Sequence, residues 1–297
     1  MKRYKLKKKI FLAFCLVPSI ITFLIFTVYP LLNGLYMSFF KWSGISGNKE
    51  FVALKNYKLL LNDSVIPKTI INDYFLVIVK VVFIMMLALI FAVVLTQFKL
   101  KEAPFYRFVY FFPNVMPVVT TAILWVFIYS SQMGLVNSLL EFIGKEEWAR
   151  SWLGTKTTAL PALAVPLIWA GIGLFMLMLM GAIGNIPASL YEAASLDGAG
   201  KWKQFKTITV PLIWPQIKTS IIYIIITTLN GSYVLVQLTT QGGPNNATQV
   251  MGSYLYQQAF DNFNFGYGAA IGVMILVLNL ATVLICQVVL KKEKVEF

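Results

Sequence analysis

The chain has 297 residues, of which 58% are hydrophobic and only 12% are charged. Because an ordinary globular domain has about 25% charged residues, this composition indicates a membrane protein and excludes an ordinary soluble domain. The net charge of +13 does not indicate a nucleic-acid-binding protein, because the cations cluster beside apolar stretches and are not interleaved with aromatic residues on a polar face.

Six apolar segments are long enough to cross a membrane. A bilayer core of about 30 Å requires about 20 apolar helical residues, and helices are favoured because they satisfy their own backbone hydrogen bonds in lipid. The segments are residues 10–29, 75–98, 108–129, 159–183, 219–238 and 269–290. The predicted fold class is an all-α membrane protein with six transmembrane helices, forming one domain over residues 1–297 with its core at 75–290.

Lysine and arginine are unevenly distributed between the two sides of this predicted membrane. One side has 16 of these residues, namely Lys2, Arg3, Lys5, Lys7, Lys8, Lys9, Lys99, Lys101, Arg107, Lys201, Lys203, Lys206, Lys218, Lys291, Lys292 and Lys294. The other side has 8, namely Lys41, Lys49, Lys55, Lys58, Lys68, Lys145, Arg150 and Lys156. The positive-inside rule therefore predicts that both termini and the loop between the fourth and fifth segments are cytoplasmic.

The first segment follows a basic stretch, as the apolar part of a secretory signal peptide does. Its apolar run is too long for such a peptide and has no small-x-small exit. Phe14, before Cys15, also occupies a position where a lipid-modification site needs a small residue. We therefore predict a retained signal-anchor helix at residues 10–29.

The first two outer loops are each predicted to contain a short helix. The first loop, residues 39–73, has room for a helix at 54–61. In the second loop, apolar residues at 136, 139, 140 and 143 recur at helical spacing, and Trp148 and Trp152 follow. This pattern is typical of an amphipathic helix at the outer membrane interface.

Two features inside the second and fourth segments are interpreted as structural. Lys80 lies close to the predicted outer end of the second segment, so snorkelling to the interface is favoured over a role in a transport path. Met176, Met178 and Met180 alternate along the fourth segment and are predicted to pack or to face lipid.

The loop at residues 185–215 predicts two short helices at the membrane surface. Pro187 fits the first turn of a helix, because the missing N–H needs no partner there. Gly198 can adopt the left-handed conformation that ends a helix. A second helix from about Gly200 places four apolar residues on one side, namely Trp202, Phe205, Ile208 and Leu212.

The first of these helices sets Leu190, Ala193 and Ala194 beside one another. This small, smooth face allows another protein to approach closely. The alternative is a connector that rests on lipid headgroups, with its lysines paired to anionic lipid. That alternative explains the lysines but not the alanine pair, the acidic residues or the glycine turn.

The fifth segment is the most polar one. Its polar residues are Thr219, Ser220, Thr227, Thr228, Asn230, Ser232 and Gln237, with Gly231 and Tyr233 among them. Polar groups at such depth face a bundle interior or a water-filled cavity. For any single residue, hydrogen bonding between helices is an equal alternative, but the cluster favours a hydrophilic path in which Asn230 both donates and accepts hydrogen bonds.

The third outer loop, residues 239–268, combines glycine and amides with aromatic residues. The aromatic residues are Tyr254, Tyr256, Phe260, Phe263, Phe265 and Tyr267. Aromatic rings and amides suit contacts to sugar rings, whose faces are apolar and whose hydroxyls need donors and acceptors. For most of these rings an aromatic belt at the membrane interface is the favoured interpretation.

Intramembrane enzymes and secondary transporters are two functional classes of membrane proteins with polar residues inside the membrane. An intramembrane enzyme is disfavoured, because the chain has no histidine, no paired membrane carboxylates and no Gly-x-Ser-x-Gly motif. A secondary transporter of a small polar solute remains an alternative. Such proteins couple through buried acids or broken repeats, and none of the six segments has an internal Asp or Glu.

The loop at 185–215 resembles the EAA loop of bacterial ABC-importer permeases. Glu192-Ala193-Ala194 is followed three residues later by Asp197-Gly198-Ala199, and then by Phe205, Ile208 and Pro211. Two outer stretches, Gln241-Gly242-Gly243-Pro244 and Phe263-x-Phe265-Gly266-Tyr267-x-Ala269-Ala270, are similar to the carbohydrate-uptake branch of this family, the maltose, multiple-sugar and glycerol-phosphate type. The resemblance covers nearly the whole chain.

This resemblance implies a permease subunit of an ATP-driven oligosaccharide importer in a bacterial plasma membrane. Its implied partners are a second permease subunit, two ATPase subunits and an extracytoplasmic sugar-binding protein, with membrane lipid around it. No catalytic residue or metal ligand is expected in this chain, and ATP and magnesium are expected in the ATPases. In agreement, Gly200-Lys201-Trp202 lacks the upstream glycine and the following Ser or Thr of a phosphate-binding loop.

The resemblance also implies which residues bind the ATPase and which line the substrate path. ATPase docking falls to Glu192, Ala193, Ala194, Asp197, Gly198 and Ala199, with Glu192 as a polar tether and Gly198 as the turn. The substrate path, by resemblance to maltose-type permeases and from the polar fifth segment, contains Asn114, Trp169, Gly171, Thr227, Thr228, Asn230, Ser232 and Tyr233. Several positions that are polar in the family are Val118, Leu167 and Ile224 here, so the identity of the sugar is not implied.

Overall fold

The computed structural model describes residues 2–45, 47–98 and 100–291, with side chains described from residue 11 onward in those ranges. From the N-terminus, the elements are α1 (Lys2–Phe23), a π-helical turn (Leu24–Val28), α2 (Tyr29–Met37), β1 (Phe40–Lys41), β2 (Glu50–Phe51), α3 (Lys55–Asn62), α4 (Val65–Gln97), α5 (Ala103–Val115) and α6 (Val118–Ile128). Next come α7 (Leu135–Phe142), a 3-10 turn (Glu146–Trp148), α8 (Ala159–Gly184), α9 (Ala188–Leu196) and α10 (Lys201–Gln204). The described chain ends with a π-helical turn (Phe205–Thr209), α11 (Val210–Leu212), α12 (Trp214–Thr239), α13 (Met251–Tyr256), a further π-helical turn (Gln257–Asp261) and α14 (Phe265–Val289).

The predicted helical class is confirmed, with one small addition. β1 and β2 pair antiparallel, with Phe40 opposite Phe51, inside the first predicted outer loop. The two short helices predicted for the outer loops are present as α3 and α7.

In the part of the chain that the structure describes, five helical stretches are long and apolar enough to cross a membrane, namely Phe11–Met37, Val65–Gln97, Ala159–Gly184, Trp214–Thr239 and Phe265–Val289. The first runs past residue 29, where the sequence predicted its end. The third predicted segment is not one helix, because α5 and α6 are bent by 98° at a short break. Met116, which precedes Pro117, is extended, with ψ of 135°. Proline disfavours helical backbone in the residue before it, so the prediction of one continuous helix at 108–129 is wrong.

The second crossing begins at Val65 and not at residue 75. Asp73 therefore lies inside a membrane-length helix and is fully buried, which contradicts the expectation that no crossing contains an internal carboxylate. Lys80 lies near the middle of α4 and is 8% exposed, so the prediction that it snorkels from the outer end is also wrong. Both errors arise because the polar residues at 65–74 continue the helix and bond within the protein.

Within the described residues, the chain divides into two compact units. One contains the residues up to Asp63 together with Leu255–Leu276, and the other contains Ser64–Tyr254 together with the residues from Val277 onward. The second unit has a core in which α4, α8 and α12 bury an apolar cluster that includes Ile84, Phe175, Met176, Leu179 and Ile224. Met176 and Met180 belong to this cluster and Met178 packs against it, so the methionines pack, as the sequence predicts.

A close backbone approach joins α5 to α8 at Gly173. A Cβ atom there would collide with the backbone carbonyl of Tyr110 and would lie about 2.5 Å from the Cα of Phe111. Only glycine fits between two backbones at this separation.

We expect Gly173→Ala to lower the free energy of unfolding by about 1–3 kcal/mol, as overpacking of a core does. A backbone obstacle cannot rotate away as a side chain can, so one of the helices must shift. Thermal unfolding of the detergent-solubilised protein measures the effect. Gly181→Ala in the same helix is the control, because nothing lies within 4 Å of its Cβ; equal melting temperatures for the two variants would contradict the close approach.

Candidate coupling surface and transport path

The segment between α8 and α12 contains the helix, glycine turn and second helix that the sequence predicts. α9 ends at Leu196, and Gly198 follows with φ of 72°. The N–H of Ala199 donates to the carbonyl of Ala194 at 2.8 Å, a bond typical of a helix end closed by a left-handed residue. The second helix starts at Lys201 as α10 and continues through a π-helical turn into α11.

The six residues predicted to dock an ATPase differ in exposure. Glu192, Ala193, Asp197 and Gly198 are exposed, whereas Ala194 and Ala199 are half-buried. Leu196, which the sequence prediction omitted, is 91% exposed. The exposed face of α9 therefore contains an apolar side chain between the acidic residues Glu192 and Asp197.

α9 is held against the second helix by buried side chains that the sequence prediction missed. Gln204 is 2% exposed, and its Nε2 donates to Ser195 Oγ at 2.8 Å and to the carbonyl of Ala199 at 2.9 Å. Tyr191 Oη and Thr209 Oγ1 are 2.9 Å apart and share a hydrogen bond. α9 is therefore fixed at both ends to the segment that leads into α12.

A further hydrogen bond links this segment to the C-terminal end of α4. Gln97 Nε2 donates to Thr209 Oγ1 at 3.3 Å, so Thr209 contacts both α4 and α9. Thr209 is fully buried. The sequence does contain a signal for this role, because Gln204 and Thr209 are polar residues among the apolar residues of the second helix.

α12 has two polar faces with different surroundings. On one face Asn230 is exposed and Thr227 half-buried, and Asn230 Oδ1 accepts a hydrogen bond from Asn279 Nδ2 of α14 at 3.2 Å. On the other face Thr228 and Ser232 are 0% and 2% exposed. The predicted path residues of α12 thus divide into an accessible pair and an interior pair.

The remaining predicted path residues lie near the break between α5 and α6 or against α4. Asn114, in the last turn of α5, is exposed and its Nδ2 donates to the carbonyl of Ala170 at 3.2 Å. Trp169 packs edge to face on Trp125, with ring centroids 5.9 Å apart. A Cβ on Gly171 would lie 2.6 Å from Ile84 Cδ1. The structure therefore places Asn114 beside the 169–171 turn of α8, whereas Gly171 packs against α4.

Tyr233 packs elsewhere, against the start of α13. A Cβ on Gly252 would lie 2.8 Å from Tyr233 Cβ. Tyr233 is half-buried. It therefore supports the start of α13 and does not belong to the accessible pair of α12.

The N-terminal part of α4 holds the segment that follows α12. Asp73 Oδ2 accepts the N–H of Met251 at 2.8 Å, and its Oδ1 accepts the hydroxyl of Ser232 at 3.4 Å. The neighbouring Asn72 donates from Nδ2 to the carbonyls of Ala247 and Gln249 at 3.1 and 2.8 Å. Asn72 and Asp73 therefore fasten residues 247–251 to a membrane-length helix.

The rings of the third outer loop are not equally accessible. Phe260 and Phe263 are about half exposed, at 50% and 49%, whereas Tyr254 is buried at 7%. Tyr267 donates its hydroxyl to Asp63 Oδ2 at 2.7 Å. Tyr254 is therefore a core residue, and Tyr267 supports the loop structure.

Comparison with known proteins places the chain among membrane components of transport systems. Residues 84–295 match the family described as "Binding-protein-dependent transport system inner membrane component". The chain is 35% identical to a probable ABC transporter permease of Bacillus subtilis, over 95% of this chain and 96% of that protein. It is 32% identical to the permease of the diacetylchitobiose uptake system of Streptomyces coelicolor, over 91% of this chain and 79% of that protein. It is 30% identical to the permease of the multiple sugar-binding transport system of Streptococcus mutans, over 94% of each chain.

The fold is also similar to that of a solved transporter. The chain superposes with a TM-score of 0.84 on a chain of a bacterial ABC transporter involved in the import of the acidic polysaccharide alginate. The match covers 98% of both chains at 23% sequence identity. The chain therefore has the same fold as this transporter chain.

We expect Asp73→Ala to destabilise the protein by about 1–3 kcal/mol, because the buried N–H of Met251 would lose its acceptor. Amide hydrogen exchange at Met251 should become faster, since its N–H would lose the hydrogen bond to α4, whereas the hydrogen bonds of Asn72 to Ala247 and Gln249 would remain. Asp73→Asn is the matched variant, because it keeps one acceptor oxygen, and it should exchange more slowly than the alanine variant. Unchanged exchange at Met251 in Asp73→Ala would contradict the fastening role.

Proposed function

The chain belongs to the family of binding-protein-dependent transport system inner membrane components, and on that premise we propose that it is a permease subunit of an ATP-driven importer of oligosaccharides. Relatives named for multiple sugars and for diacetylchitobiose support an oligosaccharide as the substrate. The observation that carries the mechanism is α9, an exposed short helix rigidly braced to the helix that follows it.

Coupling depends on how α9 is held. Gln204 and Tyr191 link α9 to the segment that continues into α12, so displacement of α9 displaces the base of α12 as well. Packed helices respond to such a displacement as rigid bodies. We infer that two ATPase subunits bind α9 and its counterpart on a second permease, and that their closure on ATP and magnesium is transmitted through this brace.

The exposed polar residues of α12 support a path shared between two subunits. Thr227 and Asn230 lie on a surface that the described part of this chain leaves accessible. An accessible polar face at membrane depth requires water or a protein partner. A second permease facing Asn230 would complete the path, and each subunit would form half of it.

The membrane orientation follows from the same proposal. α9 faces the cytoplasm, together with both termini, because the ATPases are there. The opposite side, with the lysine-containing loop at residues 39–63 and the segment at 240–250, then faces the extracytoplasmic sugar-binding protein. The distribution of lysine and arginine supports this orientation.

Asp73 does not favour the alternative of a secondary transporter. Its carboxylate is inside a membrane-length helix, where such proteins place coupling acids. However, both of its oxygens accept hydrogen bonds from Met251 and Ser232, so Asp73 supports the outer segment. ATP-driven coupling through α9 needs no titrating acid in the path.

Purification of the chain from its native membrane with its neighbouring subunits tests the proposal as a whole. We expect two ATPases and a second permease to copurify, and uptake to require all of them. Recovery of this chain alone with full transport activity would overturn the proposal. Binding measurements on the cognate sugar-binding protein would identify the sugar.

We expect Gly198→Val to uncouple ATP hydrolysis from transport. Gly198 has φ of 72°, which costs an ordinary L-residue about 1–2 kcal/mol and a β-branched one more. The helix end would therefore change direction at the ATPase surface. Substrate-stimulated ATPase activity of the reconstituted complex measures the loss.

Gly200→Val is the matched control for this substitution. Gly200 has φ of −65° and ψ of 162°, a conformation that valine favours, and nothing lies within 4 Å of a Cβ at either glycine. The control should retain coupling and assembly. Equal coupling in the two variants would rule out the role of Gly198 in docking.

We expect Asn230→Leu to reduce uptake about 2–10-fold per assembled complex, which corresponds to a lost hydrogen bond of about 0.5–1.5 kcal/mol. Asn230 would no longer donate to or accept from a sugar hydroxyl. Initial uptake rates of labelled oligosaccharide measure the change. Thr228→Val is the matched control, because Thr228 is on the buried face of the same helix, and this variant should transport at nearly the normal rate. A lower uptake rate in Thr228→Val than in Asn230→Leu would exclude the accessible face of α12 as the path.

A further inference from the structure

A groove of about 460 Å³ lies between the second half of α4 and the start of the second helix after Gly198. Its lining is almost entirely apolar and consists of Met86, Leu89, Ile90, Val93, Val94, Gln97, Phe98, Lys201, Trp202 and Phe205. The residues of α4 recur at spacings of three and four, so they form one continuous stripe. The proposed coupling and path do not use this stripe.

The stripe is open and long enough for a lipid chain. Met86, Ile90 and Phe98 are 47%, 50% and 61% exposed. From Met86 to Phe98 the helix rises about 18 Å, at 1.5 Å per residue. This length is close to half of the roughly 30 Å hydrocarbon core of a bilayer, which is the depth of one leaflet.

One end of the groove is cationic and aromatic. Lys201 lines it directly, and Lys206 Nζ lies 4.8 Å from the centre of the Trp202 ring. Trp202 stacks on Phe205, with centroids 5.3 Å apart, and remains 66% exposed. Tryptophan and lysine are the residues that meet lipid headgroups at a membrane interface.

We propose that this groove is a binding site for one anionic phospholipid. An acyl chain lies along the stripe from Met86 to Phe98, and the phosphate pairs with Lys201 and Lys206 above Trp202. An anionic lipid is favoured over a partner helix, because Lys201, Lys206 and the exposed Trp202 combine the cations and the aromatic ring that meet lipid headgroups at the end of a stripe of one leaflet's depth. Gln204 of the same helix forms hydrogen bonds that hold α9, so the bound lipid would also stabilise the position of α9. This role does not depend on which sugar is transported.

Native mass spectrometry of the assembled transporter, released from nanodiscs of mixed phosphatidylglycerol and phosphatidylcholine, tests the site. The wild type should retain phosphatidylglycerol, and the double variant Lys201→Gln/Lys206→Gln should retain it less, by about five-fold for each lysine. Lys203→Gln is the matched control, because Lys203 is on the same helix but, unlike Lys201, does not line the groove and, unlike Lys206, does not lie on the Trp202 ring. Equal retention in the double variant and in Lys203→Gln would overturn the proposal.

Two further measurements separate the lipid from other occupants and leave both lysines intact. Brominated phosphatidylglycerol should quench more fluorescence in the wild type than in Trp202→Phe, whereas brominated phosphatidylcholine should give a smaller difference. A photo-reactive residue in place of Ile90 should crosslink to lipid. Crosslinking to another protein chain, or equal quenching by the two lipids, would overturn the proposal.

Discussion

A polar group inside a lipid bilayer must find its hydrogen-bond partner within the protein. In this chain the requirement is met most visibly at Asp73, whose two oxygens accept a backbone N–H from beyond α12 and a hydroxyl from α12 itself. Thr228 meets the same requirement by donating to the carbonyl of Ile224 in its own helix, at 2.6 Å. The segment that follows α12, the start of α4 and the middle of α12 are therefore joined by hydrogen bonds. Lipid tails offer these groups no alternative hydrogen-bond partner.

Much of the helical architecture could be predicted from the sequence. The length of an apolar run and the positions of proline and glycine determine helix bounds through local backbone preferences. The helix after Pro187 and the left-handed Gly198 were predicted correctly. The break at Pro117 was missed although its signal was present, because the apolar run continues across it. The true start of α4 was missed for the opposite reason: Thr69 and Asp73 continue the buried face of the helix, but they are polar and end the hydrophobic run.

The candidate site was harder to predict than the fold. Exposure on α12 depends on which neighbour covers which face, so Thr227 and Thr228 are indistinguishable in sequence but differ in the structure. Gln204 was missed because its partners, Ser195 and Ala199, become neighbours only after the glycine turn reverses the chain. The family resemblance predicted a short helix where α9 lies, whereas the hydrogen bonds that hold α9 to Gln204 and Thr209 depend on the tertiary structure.

The 98° bend between α5 and α6 separates two helices that have different neighbours. α5 is fastened to α8 by the backbone contact at Gly173, whereas α6 contacts α12 as well as α8. A rotation of α12 relative to α8 would therefore open or close an angle at Pro117 and leave every helix unbent. The break between α5 and α6 would then act as a hinge. The polar side chain beside it, Asn114, would change its surroundings as the angle between the two helices changes.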